Sequence, residues 1–311
     1  MPASGKDLVD LLDLDEVGTE SFLGQAARRS RMARTYGGQL LAQALMAAYR
    51  TVPSGRPVHS LHASFLRGGD AKESVRYDVT RVRDGRSFTS RRVCGHQHGR
   101  QIFELTASFH REEAGYEHQA PMPRVPVPRD AVPLVEALER ADRDTQTFWR
   151  EEWKALDLRV IEECDAAVRP VKGEAVAGGA PPQPATERLW FRVHDSLDSQ
   201  ETALHSCLLA YISDLTLLST ALRPHGYPFL APGVQRATVN HAMWFHQIVP
   251  VDQWLLYDKS SAWAGGSRGL ATAHVYSPTR GVAATVVQEG LIRPRGEHSA
   301  LPVPARSPHT S

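Results

Sequence analysis

The sequence predicts an α+β fold made twice over, each copy an antiparallel sheet wrapped around one buried helix. Three observations carry this expectation. Two helical stretches, Gly38–Ala48 and Leu204–Leu222, are apolar on nearly every side, so other elements have to enclose them. The segments that follow each one alternate apolar and polar residues, as strands with one solvated face do. The landmarks of the first half also recur in the second. Phe65, Tyr77, Gly85 and Gly99 answer to Phe245, Tyr257, Gly265 and Gly281, at offsets of 180, 180, 180 and 182 residues.

Along the chain, Met1 to Glu16 is amphipathic and acidic, without the basic start and apolar core of a secretory leader. The first buried helix follows. Leu61, Ala63 and Phe65 then alternate with polar neighbours, as do Val75, Tyr77 and Val79, and Phe103, Leu105, Ala107 and Phe109. Nine of the 21 prolines lie between Pro121 and Pro184. They bound a helix-like stretch, Leu134 to Leu158, with Phe148, Trp149, Trp153 and Leu156 as its apolar stripe. The expected organisation is a first lobe at 1–118, a connector with a helix at 119–185, a second lobe at 186–293 and a disordered tail at 294–311.

Charge excludes some functions. With 36 basic and 35 acidic residues the net charge is +1, so no nucleic-acid partner is expected. Cys94, Cys164 and Cys207 are scattered and suit a reducing compartment. No apolar run approaches the ~18–20 residues of a membrane span, and a cytoplasmic protein is expected. GxxxxGK[ST], GxGxxG and His-x-x-x-His are all lacking, so neither a nucleotide cofactor nor a metal is expected. Gly265-Gly-Ser267-Arg-Gly269 fits the nucleophile-elbow pattern, but a strand follows it where an elbow needs a helix, and it reads as a turn.

Several stretches resemble the acyl-CoA thioesterase II family, whose fold is a double hotdog. They are Tyr36-Gly-Gly-Gln39, Val58-His-Ser-Leu-His62, Phe65-Leu-Arg-Gly-Gly-Asp70, Arg83-Asp-Gly-Arg-Ser-Phe88 and Thr106-Ala-Ser-Phe109. Beyond them stand Glu117-His-Gln-Ala-Pro-Met-Pro123, Ser213-Asp-Leu215, Ala237-Thr-Val-Asn-His241, Met243-Trp-Phe-His246 and Val287-Gln-Glu-Gly290. The resemblance runs from about residue 8 to 293. It implies hydrolysis of medium- to long-chain acyl-CoA by a water held on Asp214, Thr238 and Gln288, with no cofactor, in a homo-oligomer such as a dimer or tetramer. Gly68 and Asn240 depart from the family, which often has Pro and Asp there.

Of the three implied residues only Asp214 can take a proton near neutral pH; Thr238 and Gln288 can orient a water. Taken singly each has a plainer role: Asp214 as the cap of a helix beginning at Leu215, Thr238 as a strand former, Gln288 as a solvated strand end. Burial raises the Asp214 pKa and hydrogen bonds lower it, and the balance is not legible in sequence. The duplication sets Thr238 against Val58, Gln288 near Thr106 and Asp214 near Gly37 or Gly38, so the catalytic groups are expected in the second lobe alone. Gly37 and Gly38, at a helix start, are candidates for substrate contact. So are His59, one of two histidines (with His62) expected on opposite strand faces, and Arg67. Arg91 and Arg268 are further candidates for the CoA phosphates. Two other readings stay open: a non-catalytic acyl-CoA-binding or assembly module, and an enoyl-CoA hydratase, whose chemistry wants an Asp and a His in one site.

Overall fold

The computed structural model describes residues 1–27, 30–138, 143–161, 182–197, 201–227 and 234–294. The tail from 295 and the whole 162–181 stretch, Cys164 included, lie outside them. In chain order the elements are α1 (Gly5–Leu12), β1 (Asp15–Gly18), β2 (Ser21–Gly24), α2 (Gly37–Tyr49), β3 (Val58–Phe65), β4 (Val75–Asp84), β5 (Phe88–Gln97) and β6 (Arg100–His110). Then come β7 (Val132–Pro133), α3 (Leu134–Ala137), α4 (Arg143–Glu152), β8 (Leu156–Val160) and β9 (Thr186–Val193). The chain continues with α5 (Thr202–Ser213), a 3-10 helix (Leu217–His225), β10 (Val234–Phe245), β11 (Leu255–Gly265), β12 (Arg268–Ser277) and β13 (Gly281–Pro294).

The described strands form one 13-stranded sheet in the order β1-β2-β4-β5-β6-β3-β10-β13-β12-β11-β9-β8-β7. From β2 to β9 the order reads as its own mirror image about the β3–β10 seam. There the strands run antiparallel, with Asn240 facing Ser64 and Trp244 facing Ser60. Each half wraps its own helix. The apolar side chains of α2 and α5 share one core with the inward residues of the sheet, such as Phe103, Phe109, Met243 and Val286. Burial all round is what the lack of a polar face required. The run Thr202–His225 is long and apolar enough to cross a membrane, yet 78% of its most apolar window is buried inside this fold.

Two β-bulges mark the seam strands. Pairing slips by one residue between Val58 and Ser60 against β6, and between Thr238 and Asn240 against β13. The two slips sit 180 residues apart, so the duplication extends to an irregularity. A bulge reverses strand parity beyond it. His59 therefore bonds Ser108 on the outer face, at 2.8 Å, and the His62 ring meets Trp244 edge to face on that same face. The expectation that they take opposite faces was wrong for this reason.

Two further segments differ from their sequence reading. The Leu134–Leu158 stretch is two short helices and a strand, and β8 adds to the sheet beside β9. Trp153 there packs on Tyr36 and Tyr211 and closes one side of the helix pair. The second long helix breaks at Asp214, which is the C-cap of α5 and not the cap of a helix to come. Ser267 falls with Gly266 in a tight turn, φ +60° and +55°, between β11 and β12. That is a hairpin geometry and leaves no elbow.

Buried Lys259 fastens the segment after the break. Its ammonium bonds Glu187 and, at 2.9 Å, the hydroxyl of Thr216, and its side chain is fully enclosed. Leaving a buried ammonium without its counter-charge is costly. E187Q should therefore destabilise the protein by about 2 kcal/mol, read as a fall in the urea midpoint.

Candidate active site

The helix break and the second bulge together build a site. With α5 ended at Ser213, the Asp214 side chain turns toward the sheet, where it is 5% exposed. On β10 the bulge leaves Val239 exposed and puts Thr238 on the inner face with His241. On β13 the inward alternation brings up Gln288, 1% exposed.

The three side chains meet. Thr238 Oγ1 donates to Asp214 Oδ1 at 2.8 Å. Gln288 Nε2 reaches Asp214 Oδ1 at 2.6 Å and Thr238 Oγ1 at 2.7 Å. The backbone N–H of Gly38 also donates to the Asp214 carboxylate. Desolvation outweighs these hydrogen bonds, and burial pushes the Asp214 carboxyl up to about 7. The Oε1 atom of Gln288 is buried without a hydrogen-bond partner. A small cavity of about 190 Å³ adjoins the trio, lined also by Leu215, Leu218, Ser219 and Arg236.

Gly37 and Gly38 come to this site from the other lobe. A Cβ on Gly37 would lie 2.5 Å from Asp214 Oδ2, and one on Gly38 would overlap the carbonyl oxygen of Tyr211. Tyr36 completes the crossing with a 2.8 Å hydrogen bond from its hydroxyl to that same carbonyl. The first turn of α2 thus meets the last turn of α5 at backbone contact, and glycine is what permits it.

Known proteins resemble this chain over most of its length. A family model described as acyl-CoA thioesterase matches residues 158–291, and one described as acyl-CoA thioesterase N-terminal domain matches 26–110. The chain is 35% identical to acyl-CoA thioesterase 2 of Haemophilus influenzae, over 92% of this chain and 97% of that one. The chain belongs to the acyl-CoA thioesterase II family. It is likewise 33% identical to mouse acyl-coenzyme A thioesterase 8, over 92% of this chain and 88% of the relative. The crystal structure of the acyl-CoA thioesterase II TesB2 from Mycobacterium marinum superposes with a TM-score of 0.74 at 36% identity, over 93% and 99% of the two chains. The double hotdog architecture and hydrolysis of acyl-CoA follow from this membership.

The thioesterase does not gather every candidate around the trio. His59 lies on the outer face, six or more residues along the seam from Thr238, roughly 20 Å away. Arg67 is exposed and donates to the carbonyl of Gln101 at 2.7 Å. Arg91 is fully buried, bound to Thr51, Asp84 and the carbonyls of Arg83 and Ser90, so it braces the first lobe and cannot meet a phosphate. Arg268 pairs with Glu289 at 3.3 Å and lies over the Trp263 ring.

The mirror arrangement also creates a second helix crossing, where the end of α2 meets the start of α5. A larger cavity of about 890 Å³ opens there, lined by Tyr49, Arg50, Thr202 and Ala203 among others. Arg50 is the C-cap of α2, as Asp214 is of α5, so it is the counterpart of Asp214. Strand register sets Ala107, not Thr106, against Gln288. Volume and chemistry therefore part company: the roomier crossing has Arg50, Val58 and Ala107 in the places of the acid, the hydroxyl and the amide. Helix alignment in the sequence had equated Asp214 with Gly37–Gly38. The structure makes these residues partners across the lobes, not equivalents.

His241 was missed in the sequence as a site residue. It is buried, and its Nδ1 lies 4.0 Å from Asp214 Oδ1. Only its place three residues after Thr238 on an alternating strand, with a bulge between, could have pointed inward.

Proposed function

We propose that the thioesterase cleaves medium- to long-chain fatty acyl-CoA with a water activated by Asp214. The observation that carries this reading is the triangle of Asp214, Thr238 and Gln288 together with the unpartnered Gln288 Oε1. An amide whose N–H₂ is tied to the acid and the hydroxyl keeps its carbonyl free to accept from a water. That water would then lie between Gln288 and Asp214, held for attack. As its oxygen bonds to the thioester carbon, its proton passes to Asp214. The carbon–sulfur bond then breaks, and the same proton goes to the departing CoA thiolate. A carboxyl near 7 suits both steps, since it can accept and return a proton at neutral pH. Leu215 and Leu218 offer apolar contact to the acyl group.

The hydratase reading needs a histidine that touches the substrate. His241 is sealed in the core behind Asp214, which speaks against it. A single comparison separates the alternatives: thiol release from acyl-CoAs of four to sixteen carbons, beside water addition to crotonyl-CoA. Thiol release rising with chain length is expected. Hydration alone, or neither reaction, would sink the proposal. For the base itself, kcat/KM should rise with pH and level off above an acid limb centred near 7, because only the ionised Asp214 accepts a proton.

A further inference from the structure

The surroundings of His241 fix its tautomer. Its Nε2 lies 2.9 Å from Ser213 Oγ. The Ser213 hydroxyl donates its single hydrogen to the carbonyl of Ala210 at 2.9 Å. It can therefore only accept from the ring, and Nε2 carries the hydrogen. Burial holds the imidazole neutral, pushing its pKa down to about 3. Nδ1 is then bare. It is buried, has no hydrogen-bond partner, and faces Asp214 Oδ1 across 4.0 Å.

A bare lone pair beside a carboxylate is unfavourable while the carboxylate is ionised. That repulsion is relieved once the carboxyl carries a proton. We propose that His241 is a positioning residue that favours the protonated form of Asp214, its bare Nδ1 lone pair repelling the ionised carboxylate across the short gap between them. The proton stays on Asp214 throughout and leaves to the thiolate sulfur when the carbon–sulfur bond breaks, so His241 ends as it began. The repulsion is present before proton transfer and absent after it, so the contact acts on the proton-transfer step and not on substrate binding. This inference rests on Asp214 being the base.

The other groups around Asp214 leave the assignment clear. Tyr36 faces it from the start of α2 and Tyr257 from β11, and burial drives both phenols far above neutrality. Thr238, Gln288 and the Gly38 N–H do not titrate. A shift of the acid limb thus reports on Asp214.

Two variants test the proposal. H241L removes the lone pair. S213A removes the acceptor that holds the hydrogen on Nε2, freeing the ring to carry it on Nδ1 and donate to Asp214. Both changes favour the carboxylate, so both should move the acid limb of kcat/KM to lower pH by about one unit, a tenfold change in ionisation, with a lower plateau. If H241L does not fold, S213A alone decides. A folded variant with a lower rate and an unmoved or raised acid limb overturns the proposal while leaving Asp214 as base. Full activity in D214N would instead remove the base assignment, and this inference with it.

Discussion

D214N is expected to lose about 10³-fold in kcat while folding to a more stable protein at alkaline pH. The rate loss follows from removing the proton acceptor, a contribution of roughly 10²–10⁴ in such reactions. The gain in stability follows from linkage. The native state holds the Asp214 proton up to about pH 7, while an unfolded aspartic acid releases it near pH 4. Across that interval the native state binds more protons, so stability falls as the pH rises, and the loss is complete above 7. Keeping the buried charge at pH 9 costs the fold up to about 4 kcal/mol. The amide carries no charge and escapes that cost. Urea unfolding of both proteins at pH 4 and pH 9 is the measurement. The advantage of D214N should be present at pH 9 and absent at pH 4. An equal difference at both would show that the carboxyl is not desolvated as described.

G38A should also lower activity sharply, though the residue is a backbone donor with no side chain. A methyl there would overlap the Tyr211 carbonyl, so α2 and α5 have to separate. Separation breaks the Tyr36 bond to the same carbonyl and withdraws the Gly38 N–H from Asp214. Overpacking of this kind costs about 1–3 kcal/mol. Displacing a catalytic group by ~1 Å can cost about 10²-fold in rate. Thermal unfolding and thiol release measure the two effects. A normal midpoint with wild-type turnover would mean that the crossing is looser than its contacts imply.

Much of the fold was legible before the structure. Two helices without a polar face and a repeated order of strand landmarks were enough for the duplicated sheet. What escaped were single-residue events. One extra residue at His59 and another at Val239 reverse parity, and no periodicity argument detects them, because the residues are ordinary strand formers. The break at Asp214 was hidden because Leu215, Leu218, Ala221 and Leu222 carry on the apolar spacing of a helix. Arg91 looked like a free cation because its partners, Thr51 and Asp84, are recognisable only in three dimensions. His241 matters through Ser213, 28 residues earlier, and no local signal ties them.

The β3–β10 seam joins two halves of one chain and not two subunits. Pairing across it is intramolecular, at an effective concentration set by the tether, so dilution cannot separate the helix that bears the acid from the glycines that cradle it. Covalent fusion has a second effect. In a dimer of identical units every substitution is made in both copies, and each crossing would need the same residues. In the fused chain one crossing has kept acid, hydroxyl and amide while its twin carries Arg50, Val58 and Ala107. Such asymmetry is open only to a protein whose two halves are encoded separately.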